Sequence, residues 1–265
     1  MQNAELLAKA TIAEQKNVKL GKMGSWAMLF GDTEWYIPEL QRTCKGTCGK
    51  HCKGCYASED PRKSACYVAK SYARRTAREN GEVGNIVNGK CSVKYGHAIR
   101  TIAMTEHRNE LLDSLDKQLS NKKEKFKIIR INESGELTCY MDLKFWITLA
   151  RLHTETTFYV YTKNYEAVRT ALKRDIIPVN FFINISVWHE CGIKEWHEFK
   201  ENAQIRAFVL VDDEWTKEKY AEHGLQIESM CAAYDSKGKM NHAVTCEKCA
   251  KCFSNSNKCC GCYEH

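Results

Sequence analysis

No run of apolar residues in this chain approaches the roughly 18 needed to cross a bilayer as a helix. The first 20 residues lack the apolar stretch of a secretory signal. A membrane span and export are therefore not expected, and a cytoplasmic location is. Acidic residues are almost missing from 42–78, where ten Lys and Arg stand against only Glu59 and Asp60. That segment carries a formal +8, while the whole 265-residue chain carries +7, so the remainder sums to −1. Such a block is either a solvated helix face or an attractor for something anionic: a cluster and a cofactor carboxylate, an anionic substrate or a nucleic acid. An even number of cysteines is also missing, and fifteen cannot all pair internally. They come in tight groups without a secretory signal, which points to metal ligation in a reducing compartment rather than to disulfides. With 43% hydrophobic residues the chain is globular, and its length allows one large domain or two small ones.

The first cysteine group reads Cys48-Gly49-Lys50-His51-Cys52-Lys53-Gly54-Cys55-Tyr56. This C-x3-C-x2-C loop can place three thiolates on three irons of a [4Fe–4S] cluster and leave the fourth iron open to a small molecule. Cys44 lies four residues upstream, so Cys44, Cys48, Cys52 and Cys55 could instead close a zinc tetrad. The second group is Cys246, Cys249 and Cys252, followed by Cys259, Cys260 and Cys262. Its C-x2-C-x2-C spacing fits a second [4Fe–4S] cluster or a zinc site. Cys262 is taken as the fourth ligand, with Cys259, Cys260 and the more distant Cys231 as alternatives. Cys66, Cys91, Cys139 and Cys191 stand alone and read as small packed side chains.

Hydrophobic periodicity organises the rest. Helices are expected at 4–14, from the Asp60-Pro61 cap onward, and at 97–120. A first strand fits 26–30. Then strands at 127–132, 157–162, 180–186, 206–211 and 225–230 alternate with helices at 140–153, 164–173, 193–202 and 216–223. Six strands alternating with helices predict an α/β fold with a parallel sheet, either doubly wound or a partial (β/α)6 TIM-like barrel. The expected division is 1–25 as helical lead-in, 26–230 as the βα body and 231–265 as a cysteine-rich, metal-binding tail. In such folds the site lies at the C-terminal strand ends. Tyr161, Thr162, Lys163, Asn184, Ser186, His189, Glu190, Asp212, Asp213 and Glu214 stand there. Helix capping and solvent exposure are the plain alternatives for each.

The cysteine loop after the first strand and the strand end Arg130-Ile131-Asn132-Glu133-Ser134-Gly135-Glu136 together resemble the radical S-adenosylmethionine (SAM) superfamily. More narrowly, the chain is similar to a phage and bacterial family named after mycobacteriophage gene product eighty-eight. The likeness runs from Trp26 through Cys-x3-Cys-x2-Cys-Tyr-Ala, the Arg-Ile-Asn-Glu-Ser-Gly-Glu strand end and the Phe-Tyr-Val-Tyr-Thr-Lys strand to the C-terminal Cys-x2-Cys-x2-Cys. The superfamily resemblance implies the partial barrel, a [4Fe–4S] cluster on Cys48, Cys52 and Cys55, and SAM bound near Tyr56, Ser134, Gly135, Glu136 and Ser186. It implies reductive cleavage of SAM and hydrogen abstraction from a substrate, with flavodoxin or ferredoxin as electron donor. Two departures stand out: Gly54 precedes the third cysteine where an aromatic residue is usual, and the expected helix at 97–120 lengthens the gap to Glu136. Two other classes fit parts of the chain: a zinc-stabilised nucleic-acid-binding protein, and an electron-transfer protein with two fully ligated clusters. The βα body is larger than either requires.

Overall fold

The computed structural model describes residues 3–14, 20–28, 93–121, 126–133, 135–235, 239, 241 and 243–263. The first cysteine group, the basic block 42–78, Tyr56 and Ser134 lie outside these residues. In chain order the described elements are α1 (Asn3–Lys9), β1 (Ala13–Glu14), β2 (Gly24–Ser25), α2 (Val93–Glu106), α3 (Arg108–Ser120), β3 (Ile128–Ile131), α4 (Tyr140–Leu152), β4 (Thr157–Thr162), α5 (Tyr165–Arg174), β5 (Phe181–Trp188), α6 (Ile193–Phe199), β6 (Ile205–Val211), α7 (Lys217–Glu222), β7 (Ser229–Met230), α8 (Cys246–Cys249) and β8 (Cys259–Tyr263). Elements from β3 to α7 match the expected alternation closely.

Three expectations are corrected. The helix expected at 4–14 stops at Lys9, and the chain turns into β1, which pairs antiparallel with β2. Gln118 stabilises that change: its side-chain amide donates to the Ile12 carbonyl at 2.7 Å and accepts from the Ile12 N–H at 3.0 Å, as a neighbouring strand would. The helix expected at 97–120 is two helices, because His107 leaves the helical conformation (φ −131°, ψ 37°). The first parallel strand lies at Gly24–Ser25 rather than 26–30. A Cβ at Gly24 would stand 2.7 Å from Phe126 and 2.9 Å from Ile12, so only glycine lets the backbone pass there.

Among the described residues the sheet has eight strands in the order β1-β2-β3-β4-β5-β6-β8-β7, and every pair after β1–β2 is parallel. From β2 to β6 the spatial order follows the chain order. Right-handed crossovers that always advance in one direction put their helices on one face of the sheet. The packing agrees. Ile129, Ile131, Phe158, Val160, Ile183, Ile185, Ala207 and Val209 share a core with Trp146 of α4, Val168 of α5, Trp196 of α6 and Tyr220 of α7. Burying each such large side chain contributes on the order of 1.5–3 kcal/mol.

The alternate residues point to the other face. There Tyr159, Phe182 and Ile128 pack with Leu20, Met23 and Phe253. The segment around α8 covers this face, and side chains from the strands tie it down. Asn184 donates to the Cys252 carbonyl at 3.0 Å, and Arg206 donates through Nε and Nη2 to the Ser254 carbonyl at 2.9 and 2.6 Å. The C-terminal cysteine-rich segment thus does more than trail from the fold: its last residues form β8, between β6 and β7.

Candidate functional site

Period two decides which residues can meet. Strand side chains alternate faces, so one face of β3–β6 is given to the helices and the other is free to line a cavity. Arg130 comes from β3, Tyr159 and Tyr161 from β4, Ser186 and Trp188 from β5, and Phe208 and Leu210 from β6. Lys163 joins them just beyond the end of β4. They line one side of a cavity of about 120 Å³. Cys231, Ala233, the stretch from Val244 to Phe253 and the inner face of β8 close the other side.

Six of the lining residues are cysteines: Cys231, Cys246, Cys249, Cys252, Cys260 and Cys262. They arrive from three pieces of chain. Cys246 and Cys249 lie three apart on α8, which Thr245 caps by accepting from the Lys248 N–H at 3.3 Å. Cys252 follows on a short 3-10 turn after Ala250, whose φ of +55° reverses the chain. Cys260 and Cys262 lie two apart on β8 and so share a face. Cys259 points the other way, into the helix-side core, where burial pushes its thiol up to about 12. The neighbouring Cys260 thiol and burial hold the Cys252 thiol well above its usual range, while the Tyr161 hydroxyl works the other way. Among the described residues no group of three or more His, Cys, Asp or Glu side chains is gathered in a form that could hold a metal ion.

The cavity is also cationic. Burial works against the Arg130 charge, but Tyr159, Tyr161, Cys246 and Glu133 outweigh it, so the guanidinium is held more firmly protonated than usual. Its centre sits 5.0 Å from the Tyr161 ring, and its Nε is buried with no hydrogen bond to any described residue. Lys163 lies over the Trp188 ring at 4.1 Å, and Lys251 donates to the Met230 carbonyl at 3.2 Å.

Of the residues expected from sequence, Ser186, Cys246, Cys249, Cys252 and Cys262 all line this cavity. Gly135 turns the chain after β3 with φ +88°. Glu136 is buried and clamps two strand ends: Oε1 accepts from Thr162 Oγ1 at 2.6 Å and from the Leu137 N–H at 2.7 Å, and Oε2 accepts from the Lys163 N–H at 2.8 Å. His189 and Asp212, noted separately as strand-end residues, meet across β5 and β6 at 2.5 Å, with the Trp215 ring stacked on the imidazole at 5.6 Å. His189 holds a left-handed backbone, φ +54°. Arg130 and Arg206 do not stand out in the sequence as site-forming residues, and Cys260 enters there only as an alternative fourth ligand. The available signal was their place on the non-core phase of strands whose other phase is Ile, Val, Ala or Phe.

The family model described as Gene product 88 matches residues 1–262 of the chain. No curated protein and no solved structure matches it.

Proposed function

We propose that this chain, which belongs to the Gene product 88 family, is an iron–sulfur enzyme of the radical SAM type. The observation that carries the reading is the run of parallel strands β2–β6 in chain order. This one-way winding supports a partial (β/α)6 barrel, and its strand ends offer Glu136, Lys163 and Ser186 on the side where such folds collect ligands. The chain that carries Cys48, Cys52 and Cys55 continues from the C-terminal end of β2. A [4Fe–4S] cluster held by those three cysteines would supply the single electron that reductive cleavage of SAM requires.

The remaining work belongs to side chains. Glu136, with Ser134 and Gly135 in the same turn, would receive the SAM amino group through acceptor capacity left on its carboxylate. Ser186 would touch the ribose, and Tyr56 would flank the cluster. Trp188, Phe208 and Leu210 form an apolar wall that keeps water from the reacting groups. The basic block 42–78 would offset the charge of the cluster and of the SAM carboxylate, and could also draw in an anionic substrate. The electron donor would be a flavodoxin or ferredoxin in the cytoplasm.

Purification without oxygen should give a brown protein that, once reduced, converts SAM to methionine and 5′-deoxyadenosine. Cys52→Ala should lose the first cluster and Cys44→Ala should keep it. Glu136→Ala should weaken SAM binding by about 1–3 kcal/mol in calorimetry, the scale of a hydrogen bond to a charged group, with iron content unchanged. Stoichiometric zinc without iron, and equal loss in the Cys44 and Cys52 variants, would favour a closed zinc tetrad and a nucleic-acid-binding role instead.

A further inference from the structure

We infer that the cavity beneath the C-terminal segment is a second centre, for a thiophilic metal, and that Cys260 rather than Cys262 completes the ligand set begun by Cys246, Cys249 and Cys252. The inference stands apart from the radical SAM reading, because none of these residues belongs to the first cysteine group.

Two independent observations carry it. The first is convergence. Soft thiolates select zinc or iron–sulfur clusters, and cysteines from α8, the following 3-10 turn and β8 all line one small cavity. Within it Cys252 and Cys260 are near enough to act on one another. Cys246 and Cys252 share the same tyrosines, Tyr159 and Tyr161, as close neighbours. Cys262 lines the same cavity on the side of Cys231 and Phe208, packed with Ala233 and Tyr234. Cys259 is excluded because its thiol faces the helices.

The second observation is charge. Arg130 presents a buried Nε with no hydrogen bond to any described residue, in a wall it shares with Tyr159, Tyr161 and the cavity thiols. Beyond the attraction of Glu133, its Nε has a hydrogen to give to a further anionic acceptor. Four thiolates around a divalent metal, or around a [4Fe–4S] cluster, carry net negative charge and would supply it. The four thiols do not yet stand around one point, which agrees with the absence of a ready metal group among the described residues. Each thiol swings about a single bond, so closure needs side-chain rotation and release of the thiol protons on binding. The strands that frame the cavity need not move.

The test uses the full chain carrying Cys48→Ala, Cys52→Ala and Cys55→Ala, which cannot build the first cluster. Titrated without oxygen with Zn(II), and separately with iron and sulfide, it should take up one centre, and the arm that loads tells zinc from iron–sulfur. Co(II) should give thiolate-to-metal charge-transfer bands of a four-thiolate site. On this background Cys260→Ser should weaken metal binding at least tenfold, and Arg130→Gln several-fold, while Cys259→Ser and Cys262→Ser leave it within twofold. Should a serine variant fail to fold, alkylation footprinting of the triple variant gives the answer directly. Metal should slow alkylation of Cys246, Cys249, Cys252 and Cys260 and leave the rate at Cys262 unchanged. Absence of metal uptake, or protection of Cys262 in place of Cys260, would overturn the proposal. Failure of SAM cleavage alone would leave it standing and count only against the radical SAM reading.

Discussion

Asp142 shows how much one carboxylate can hold. It is buried in the first turn of α4, where Oδ1 accepts from Arg108 Nη2 of α3 at 2.6 Å. Its Oδ2 accepts from the Thr138 N–H at 2.8 Å and from the Thr138 hydroxyl at 2.5 Å. Truncation would strip Arg108 of its partner and leave two Thr138 donors unmatched. Removing one member of a buried pair costs about 3–5 kcal/mol, and the partly exposed Arg108 places Asp142→Ala near about 3 kcal/mol. Urea unfolding should show this as a lower midpoint with unchanged slope; a loss below about 1 kcal/mol would mean Arg108 finds water instead. Glu136 is a similar clamp, which is why its variant should be judged by SAM affinity beside a stability control. Neither role is visible in the sequence, where Asp142 looks like an ordinary helix-start acid and Glu136 like a turn residue.

Between elements, the polar contacts on the surface are worth much less. Arg169 of α5 donates to both oxygens of Glu198 on α6, each at 2.7 Å, and to Glu166 at 2.6 Å. The hydrogen bond from Arg169 holds Glu198 below the usual carboxylate range. A lowered folded value means the pair stabilises fully above the unfolded value of 4.5 and loses that contribution as pH falls below it. Glu198 is 38% exposed, so solvent screens the pair, and Glu198→Gln should cost less than about 1 kcal/mol at neutral pH. The variant should also flatten the acid limb of a stability profile between pH 5 and 3, read by urea midpoints at each pH. An unchanged acid limb would show that the pair contributes nothing.

At the scale of the molecule, the expected tail is where sequence and structure differ most in consequence. The βα alternation from 127 to 223 was legible because burial on one sheet face writes Ile, Val and Phe at every second position and stacks helices of period 3.6 between them. The cavity cysteines were conspicuous in the sequence by their C-x2-C-x2-C spacing. The strand they form was not, since Cys-Cys-Gly-Cys-Tyr carries no β-branched residue and its partners lie more than forty residues away in β6. Arg130 was hidden for a related reason: its role depends on which chain covers the second sheet face, and local periodicity carries no such information. Because β8 pairs with both neighbours, truncation at residue 240 should do more than remove the second cysteine group. It should leave β6 and β7 without a common partner, lower the thermal midpoint sharply and bring on aggregation in size-exclusion chromatography. A truncated chain that stays monomeric and keeps the full-length midpoint would show that the sheet is stable without its last strand.

The insertion of β8 between β6 and β7 also bears on the order in which the chain is completed during synthesis. Strands β3 to β6 can pair one after another as they leave the ribosome, each with a neighbour only a few tens of residues behind it. The partner that joins β6 to β7 emerges after both of them. Until then one flank of the sheet is open and its thiols have no enclosure. A nascent chain halted before β8 would therefore be an edge-exposed species open to chaperones and proteases, and the sheet closes on that side only once Cys259–Tyr263 have been made.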